Sequence, residues 1–432
     1  FTMASQTLSE KYDRDGLIRH SLIVMIFTHA GSAANMIFHM VMGRELPKAE
    51  YGIMSSMLGL GLILATPMMA LATTLAHYTA QLRDQGNTGA ARQLMRYWLK
   101  RLAPFSLAFL ALGLFFSGPI ADFFNLQSRM PVMITALIFS VLIPSPVFPG
   151  ILQGLQSFVW MSLAYNAWGV IRLLLGTALV LMFGGLAVYP LAAQFIGYGL
   201  GLVFGWLVIR RELCNEPETP VAIHGTDSYF LRSLIVLTGF AFLMNADIVM
   251  VKHYFAPEEA GLFAQVAAIG RIMVFLVQPI AGAMFPKVIS GGEISRGHAV
   301  TLLRAIVFSV LITMAAVAAC LLLPWLPLRI IFGISAPTAE QILLLRVVVC
   351  AMAPLGITFL LLNYELAQRR FGPAWPLVAC AALYAAGVAR WHGNVLHVAF
   401  VLGAVSLLSL AAITAGIGMQ TLRAARREAP RA

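Results

Sequence analysis

The sequence predicts an all-α, polytopic membrane protein of about twelve transmembrane helices, arranged as two parallel six-helix repeats around a central cavity. Three observations predict it. The 432 residues are 60% hydrophobic and only 11% charged, with a mean hydropathy of +0.84. A soluble domain is nearer 45–50% apolar and about 25% charged, so a bilayer must solvate much of this chain. The positive charges are segregated along the sequence, and the two halves repeat one another.

A spanning helix needs roughly 20 largely apolar residues. Twelve runs qualify: 17–42, 51–76, 102–122, 131–152, 158–184, 188–209, 231–251, 260–285, 300–323, 338–362, 371–389 and 394–418. The runs are long and continuous, which excludes the ten-residue alternation of a membrane β-barrel. The second is broken by Pro67 and the eighth by Pro279. The fourth carries Pro144, Pro146 and Pro149, and the tenth carries Pro354. Proline removes a backbone hydrogen bond and clashes with the preceding turn, so these are candidate kinks.

Numbering the loops from a cytoplasmic N-terminus puts twenty Lys and Arg on the inside and six outside, with three inside helices, from a total of 29. By the positive-inside rule both termini are cytoplasmic, which requires an even number of helices. The same rule accounts for the net charge of +11 without nucleic acid. The matched positions are Asn35 with Asn245, Pro47 with Pro257, Gly52 with Gly261 and Pro67 with Pro279. Each pair is separated by about one half of the chain. Six helices return the chain to its starting side, so the copies are parallel repeats. The expected layout is a cytoplasmic segment over 1–16, a first lobe over 17–209, a linker over 210–230, a second lobe over 231–418 and a basic tail over 419–432. The segment from Met3 to His20 is polar and of mixed charge, unlike a cleavable signal peptide. Four cysteines show no disulfide or zinc spacing.

Polar residues inside the runs fall into stripes at helical spacing. The first helix aligns Thr28, Ser32, Asn35 and His39. The fifth aligns Ser162, Asn166, Gly169, Arg172 and Gly176. The seventh aligns Thr238, Asn245 and Lys252, and the eighth carries Arg271 and Gln278. Interhelical packing is the ordinary use of small and hydroxyl residues here. Arginine is different, since at mid-bilayer it costs about 2.5–3.5 kcal/mol on insertion scales and needs a partner, water or a ligand. Arg172, Arg271 and Arg346 together face one central acid, Asp247. The excess positive charge fits an anion such as a phosphate. Arg172, Arg271, Arg346, Asn35, Asn166, Asn245 and Gln278 are therefore the candidate substrate contacts. Asp247, His29 and His39 are the candidate ion-coupling groups for Na⁺ or H⁺. No catalytic residue, metal or other cofactor is expected.

The stretches NMIFHMVMGRELPKAEYGIMSSMLGL from Asn35 and NADIVMVKHYFAPEEAGLFAQVAAIGRIMVFLVQPIAGAMF from Asn245 resemble the openings of the two halves in polysaccharide transporters. These form a branch of the multidrug/oligosaccharidyl-lipid/polysaccharide (MOP) exporter superfamily, which includes O-antigen flippases. The resemblance implies a pair of six-helix lobes in a bacterial inner membrane. It implies alternating-access export of a polyprenyl-diphosphate glycan from the cytoplasmic to the outer leaflet, in company with polysaccharide-assembly machinery. The alternatives are a cation-coupled multidrug exporter of the same superfamily and, from another class, a membrane-embedded glycan polymerase or lipid transferase. The first needs acidic groups in its cavity. The second needs clustered catalytic groups on a sizeable outer loop, and the predicted outer loops are short. No phosphate-binding loop for ATP is present, so transport would be secondary.

Overall fold

The computed structural model describes residues 27, 30–214, 216, 226–289, 296–368 and 370–428, and among these there is no β-strand. The helices are α1 (30–45), α2 (Lys48–Asp84), α3 (Ala90–Phe115), α4 (Ser117–Phe123), α5 (Met130–Leu142), α6 (Val147–Gly154), α7 (Phe158–Phe183) and α8 (Val188–Glu212). They continue as α9 (Thr226–Tyr254), α10 (Pro257–Phe275), α11 (Gln278–Ile289), α12 (Arg296–Leu322), α13 (Trp325–Phe332), α14 (Ala339–Ala367), α15 (Pro376–Arg390) and α16 (Val395–Glu428). Eleven spans among the described residues are long and apolar enough to cross a membrane, so the chain is a multi-pass membrane protein. They overlap the second to twelfth apolar runs of the sequence, although the third run, 102–122, is shifted from its span, Ala90–Phe115. The first run, 17–42, lies partly outside the described residues, and its part from 30 onward is helical. The segment 1–16 and the linker residues 217–225 also lie outside them.

The prolines punctuate the helices in two ways. Pro144 and Pro146 fall between α5 and α6, splitting the fourth span into two pieces, while Pro149 sits inside α6. Pro279 follows the first residue of α11, just past the break at 276–277 that divides the eighth span. By contrast Pro67, Pro104 and Pro354 lie within continuous helices. The helix α14 begins with a full capping box, Thr338 accepting from the Gln341 amide while the Gln341 side chain accepts from the Thr338 amide. The two orphan donors at its first turn are thereby satisfied.

The chain forms two compact units. The first takes the described residues of Phe1–Glu45, Met68–Gly118 and Arg129–Thr226; the second takes Leu46–Pro67, Pro119–Ser128 and Asp227–Ala432. The change of unit within α2 comes directly after Pro67. Inside the first unit, α7 packs along α8, α5 lies between α3 and α8, and α6 touches α7. Inside the second, α14 is central, packed against α10, α11, α12 and α16, with α15 on α16. The helices α9 and α10 are the most buried spans, whereas α3, α7 and α12 keep much of their apolar surface outward. That outward surface is where lipid replaces a protein core.

The short helix α6 shows how close some of this packing is. A Cβ at Gly150 would meet the Ala72 carbonyl oxygen at 2.7 Å, and one at Gly154 would meet Thr79 Cβ at 2.4 Å. Only glycine lets α6 lie this near the second half of α2. Gly154→Val is expected to destabilise the protein by about 1–3 kcal/mol through overpacking. Gly199→Ala, at a position where a Cβ meets nothing within 4 Å, leaves thermal unfolding in detergent unchanged and serves as the control.

Candidate functional site

In the first unit the polar stripes of α1 and α7 meet each other. A Cβ at Gly31 would lie 2.9 Å from Asn166, and one at Gly169 would lie 3.3 Å from the Gly31 carbonyl oxygen. One turn further, Arg172 of α7 is buried, at 3% exposure. Its Nη1 donates to Gln194 Oε1 of α8 at 2.6 Å and its Nη2 donates to Asn35 Oδ1 of α1. Its guanidinium carbon lies 3.8 Å from the Phe38 ring centre and 5.0 Å from that of Trp168. These contacts are with neutral amides and aromatic faces. They orient the cation by hydrogen bonds and ring quadrupoles.

Asn35 and Arg172, read from the sequence as members of separate stripes, are thus brought together. Gln194 completes the set and was not singled out by the sequence reading, although its place mid-way through an apolar run was the available signal. Asn166 donates from Nδ2 to its own helix, at the Ser162 carbonyl, 2.9 Å. His39 is half-buried with its ring edge-on to Phe38, centroids 5.5 Å apart. His29 lies outside the described residues.

In the second unit Arg271 of α10 pairs with Asp247 of α9, Nη2 donating to Oδ1 at 2.5 Å. Asp247 is fully buried and Arg271 is 5% exposed. The pair is not saturated: Arg271 Nη1 and Asp247 Oδ2 have no hydrogen-bond partner, nor does the hydroxyl of the buried Tyr384, which lies within electrostatic range of both. Asn245 donates from Nδ2 to the Ala241 carbonyl at 3.0 Å, leaving its Oδ1 buried without a partner.

Arg346 has another environment. It is exposed, two turns into α14, on a stripe with Leu343 and Cys350, both also exposed. No ion pair reaches it among the described residues. Gln278 is exposed too, at the first position of α11 after the helix break. The three arginines therefore occupy three settings: held by neutral groups, ion-paired, and open. No group of three or more His, Cys, Asp or Glu positioned to hold a metal ion exists among the described residues.

Two helical units built from spanning helices, with guanidinium groups held inside them, define a polytopic all-helical membrane protein. Comparison with protein families and with curated proteins finds no match. Among solved structures, the chain is similar to the lipid II flippase MurJ in its inward closed conformation, at 12% identity over 92% of this chain and 87% of that one, with a TM-score of 0.69. It is also similar to an inward-facing multidrug resistance MATE transporter of the MOP superfamily (14% identity, 93% and 96% coverage, TM-score 0.68). A eukaryotic MATE transporter, AtDTX14, aligns at 12% identity over 92% and 95%, TM-score 0.62. The chain has the MOP transporter fold.

The ion pair makes an asymmetric prediction. Arg271→Met strands the Asp247 carboxylate in the core and is expected to cost about 3–5 kcal/mol. Adding Asp247→Leu removes the stranded charge and recovers most of that loss. Thermal unfolding of the single and double variants measures the difference.

Proposed function

We propose that this protein is a flippase that moves a polyprenyl-diphosphate-linked oligosaccharide from the cytoplasmic to the outer leaflet of a bacterial inner membrane, by alternating access. Both termini are then cytoplasmic, and α2 and α10 begin on the outer side. The observation that carries the reading is Arg346, an arginine exposed within a span, which no ion pair reaches among the described residues. Asp247 is taken up by Arg271, and Arg346 is exposed with no ion pair among the described residues, while Arg172 donates to the amides of Asn35 and Gln194. An anion is the ligand that such a distribution favours, and a guanidinium presents two parallel donors to a phosphate.

In this reading Arg346 is the first contact of the diphosphate, being open. Arg172 adds a fixed positive potential from within the first unit, with Asn35 and Gln194 holding its orientation. The glycan is hydrated and the polyprenyl tail stays in lipid. A headgroup of two negative charges gains about 4–5 kcal/mol per 100 mV, inside negative, if it crosses the whole field. Bound arginine cancels part of that charge on the loaded step. Na⁺ or H⁺ coupling through Asp247 or His39 is a further element of the proposal, as is contact with polysaccharide-assembly machinery.

The similarity to MATE transporters keeps a second reading open, a cation-coupled multidrug exporter. It requires a carboxylate available to a cation, and Asp247 is the central one. Native mass spectrometry of gently purified wild type, Arg346→Ala and Asp247→Asn separates the two. A polyprenyl-diphosphate glycolipid retained by wild type is expected to weaken about 10–100-fold in Arg346→Ala, the value of a charge-assisted hydrogen-bond pair. Bulk phospholipid bound equally by all three, with export of organic cations lost in Asp247→Asn, would overturn the flippase reading.

A further inference from the structure

The end of α9 at Lys252–Tyr254 is gripped from several sides. Lys252 is 1% exposed and its Nζ has no hydrogen-bond partner; Glu50, in the first turn of α2, and Glu258, in the first turn of α10, lie within its electrostatic range. Next to it, the His253 ring lies flat on Phe123, centroids 3.7 Å apart and planes 6° apart. His253 Nδ1 is 2.6 Å from the Phe123 carbonyl oxygen, and Asn125 Nδ2 donates to the His253 carbonyl at 2.9 Å. Tyr254 in turn stacks on His392, centroids 4.1 Å apart.

Beside this end the first turns of α2 and α10 cross at backbone contact. A Cβ on Gly261 would fall 1.9 Å from the Lys48 carbonyl oxygen, and one on Gly52 would fall 2.9 Å from the Gly261 nitrogen. No side chain fits between them. Gly52 and Gly261 are counterpart positions of the two sequence repeats, so equivalent points of equivalent helices touch. A second feature points the same way. Two segments of the first half, Leu46–Pro67 and Pro119–Ser128, cluster with the second unit. They are the segments that carry Gly52, Glu50, Phe123 and Asn125 to the end of α9.

We infer that these contacts form the extracytoplasmic gate of the transporter, closed in this structure, with the Gly52–Gly261 crossing as its seal and Lys252 as its charge clasp. The inference rests on the transport reading and orientation above. In the closed gate the buried ammonium attracts the carboxylates of Glu50 and Glu258 through space, with no direct hydrogen bond to either. Parting α2 from α10 hydrates Lys252 and frees Phe123 and Asn125 from α9, opening a path to the outer leaflet. The separation needs no covalent change, only an exchange of protein contacts for water.

The test places spin labels at Lys48→Cys and Glu259→Cys, both exposed positions, in full-length protein carrying Cys214→Ser and Cys350→Ala. Without added substrate, a single short distance is expected, and Gly261→Ala, which forces a Cβ against Lys48, is expected to add a longer population. Lys252→Met, which keeps side-chain length and removes the clasp, is expected to do the same. Unchanged distances in both variants would overturn the gate. A bismaleimide bridging the two cysteines is expected to slow glycolipid flipping by about tenfold or more, as locking a gating step should; bridged protein that flips at the unbridged rate would also overturn it. Distances that shift as expected in protein that flips no glycolipid would uphold the gate and refute the substrate assignment.

Discussion

Hydrocarbon offers no hydrogen bonds, and this constraint governs the molecule at every level. It makes each spanning backbone helical, because only an internal ladder satisfies every N–H and C=O. It sends hydroxyls back to their own helices: Thr74 donates to the Ala70 carbonyl at 2.7 Å and Thr358 to the Pro354 carbonyl at 3.0 Å. In the second case the hydroxyl serves the turn that contains Pro354, where the proline and its C=O sit. Asn166, Asn245 and Asn363 use the same local bond, each donating to the carbonyl four residues earlier. A polar residue in these helices is first a solution to a local hydrogen-bonding problem.

Charge cannot be settled so locally, and here the two units differ. Arg172 gathers acceptors from α1 and α8 and lies on an aromatic face, so three helices converge on one cation. Arg271 takes a carboxylate from α9. Buried ion pairs generally contribute little net stability, since desolvation offsets the attraction. The Arg271–Asp247 pair leaves one nitrogen and one oxygen unsatisfied, so stability alone gives a poor account of it. It does place the Asp247 carboxylate opposite a guanidinium rather than leaving it alone in the core.

The sequence made the spans legible because hydropathy needs only local composition and length. Ends were less legible. The run at 51–76 continues in the structure to Asp84, and that at 394–418 to Glu428, since a helix persists beyond the bilayer while an apolar window stops at its edge. Proline marked where helices are interrupted but not how. Pro144 and Pro146 coincide with a full break, and Pro67 and Pro354 with continuous helix. Periodicity correctly set Ser162, Asn166, Gly169, Arg172 and Gly176 on one face of α7. It could not say what that face meets, which is α1 through Gly31, Asn35 and Phe38. The bridge from Arg172 to Gln194 spans two helices, and no spacing rule reaches across a loop. Lys252 was legible only in part. Periodicity set it at the end of the seventh helix's polar stripe, but no local rule shows that it is among the most buried large side chains of the described residues.

The arrangement of glycine and charge near Lys252 follows from the same constraint that shapes the interior. In the proposed gate, a contact that must seal against water and also part cannot rely on interlocked large side chains, since those would have to repack at each opening. Backbone against backbone at Gly52 and Gly261 seals by shape alone and separates without rotamer rearrangement. An ammonium within electrostatic range of two carboxylates supplies the complementary property. Its attraction is strong while the site is dry and weak once water enters, because the effective dielectric rises. The first water to enter therefore lowers the cost of admitting the next. A seal of this composition is cooperative, tending to be fully closed or fully open, which is what the proposed alternating access requires of either end of the path.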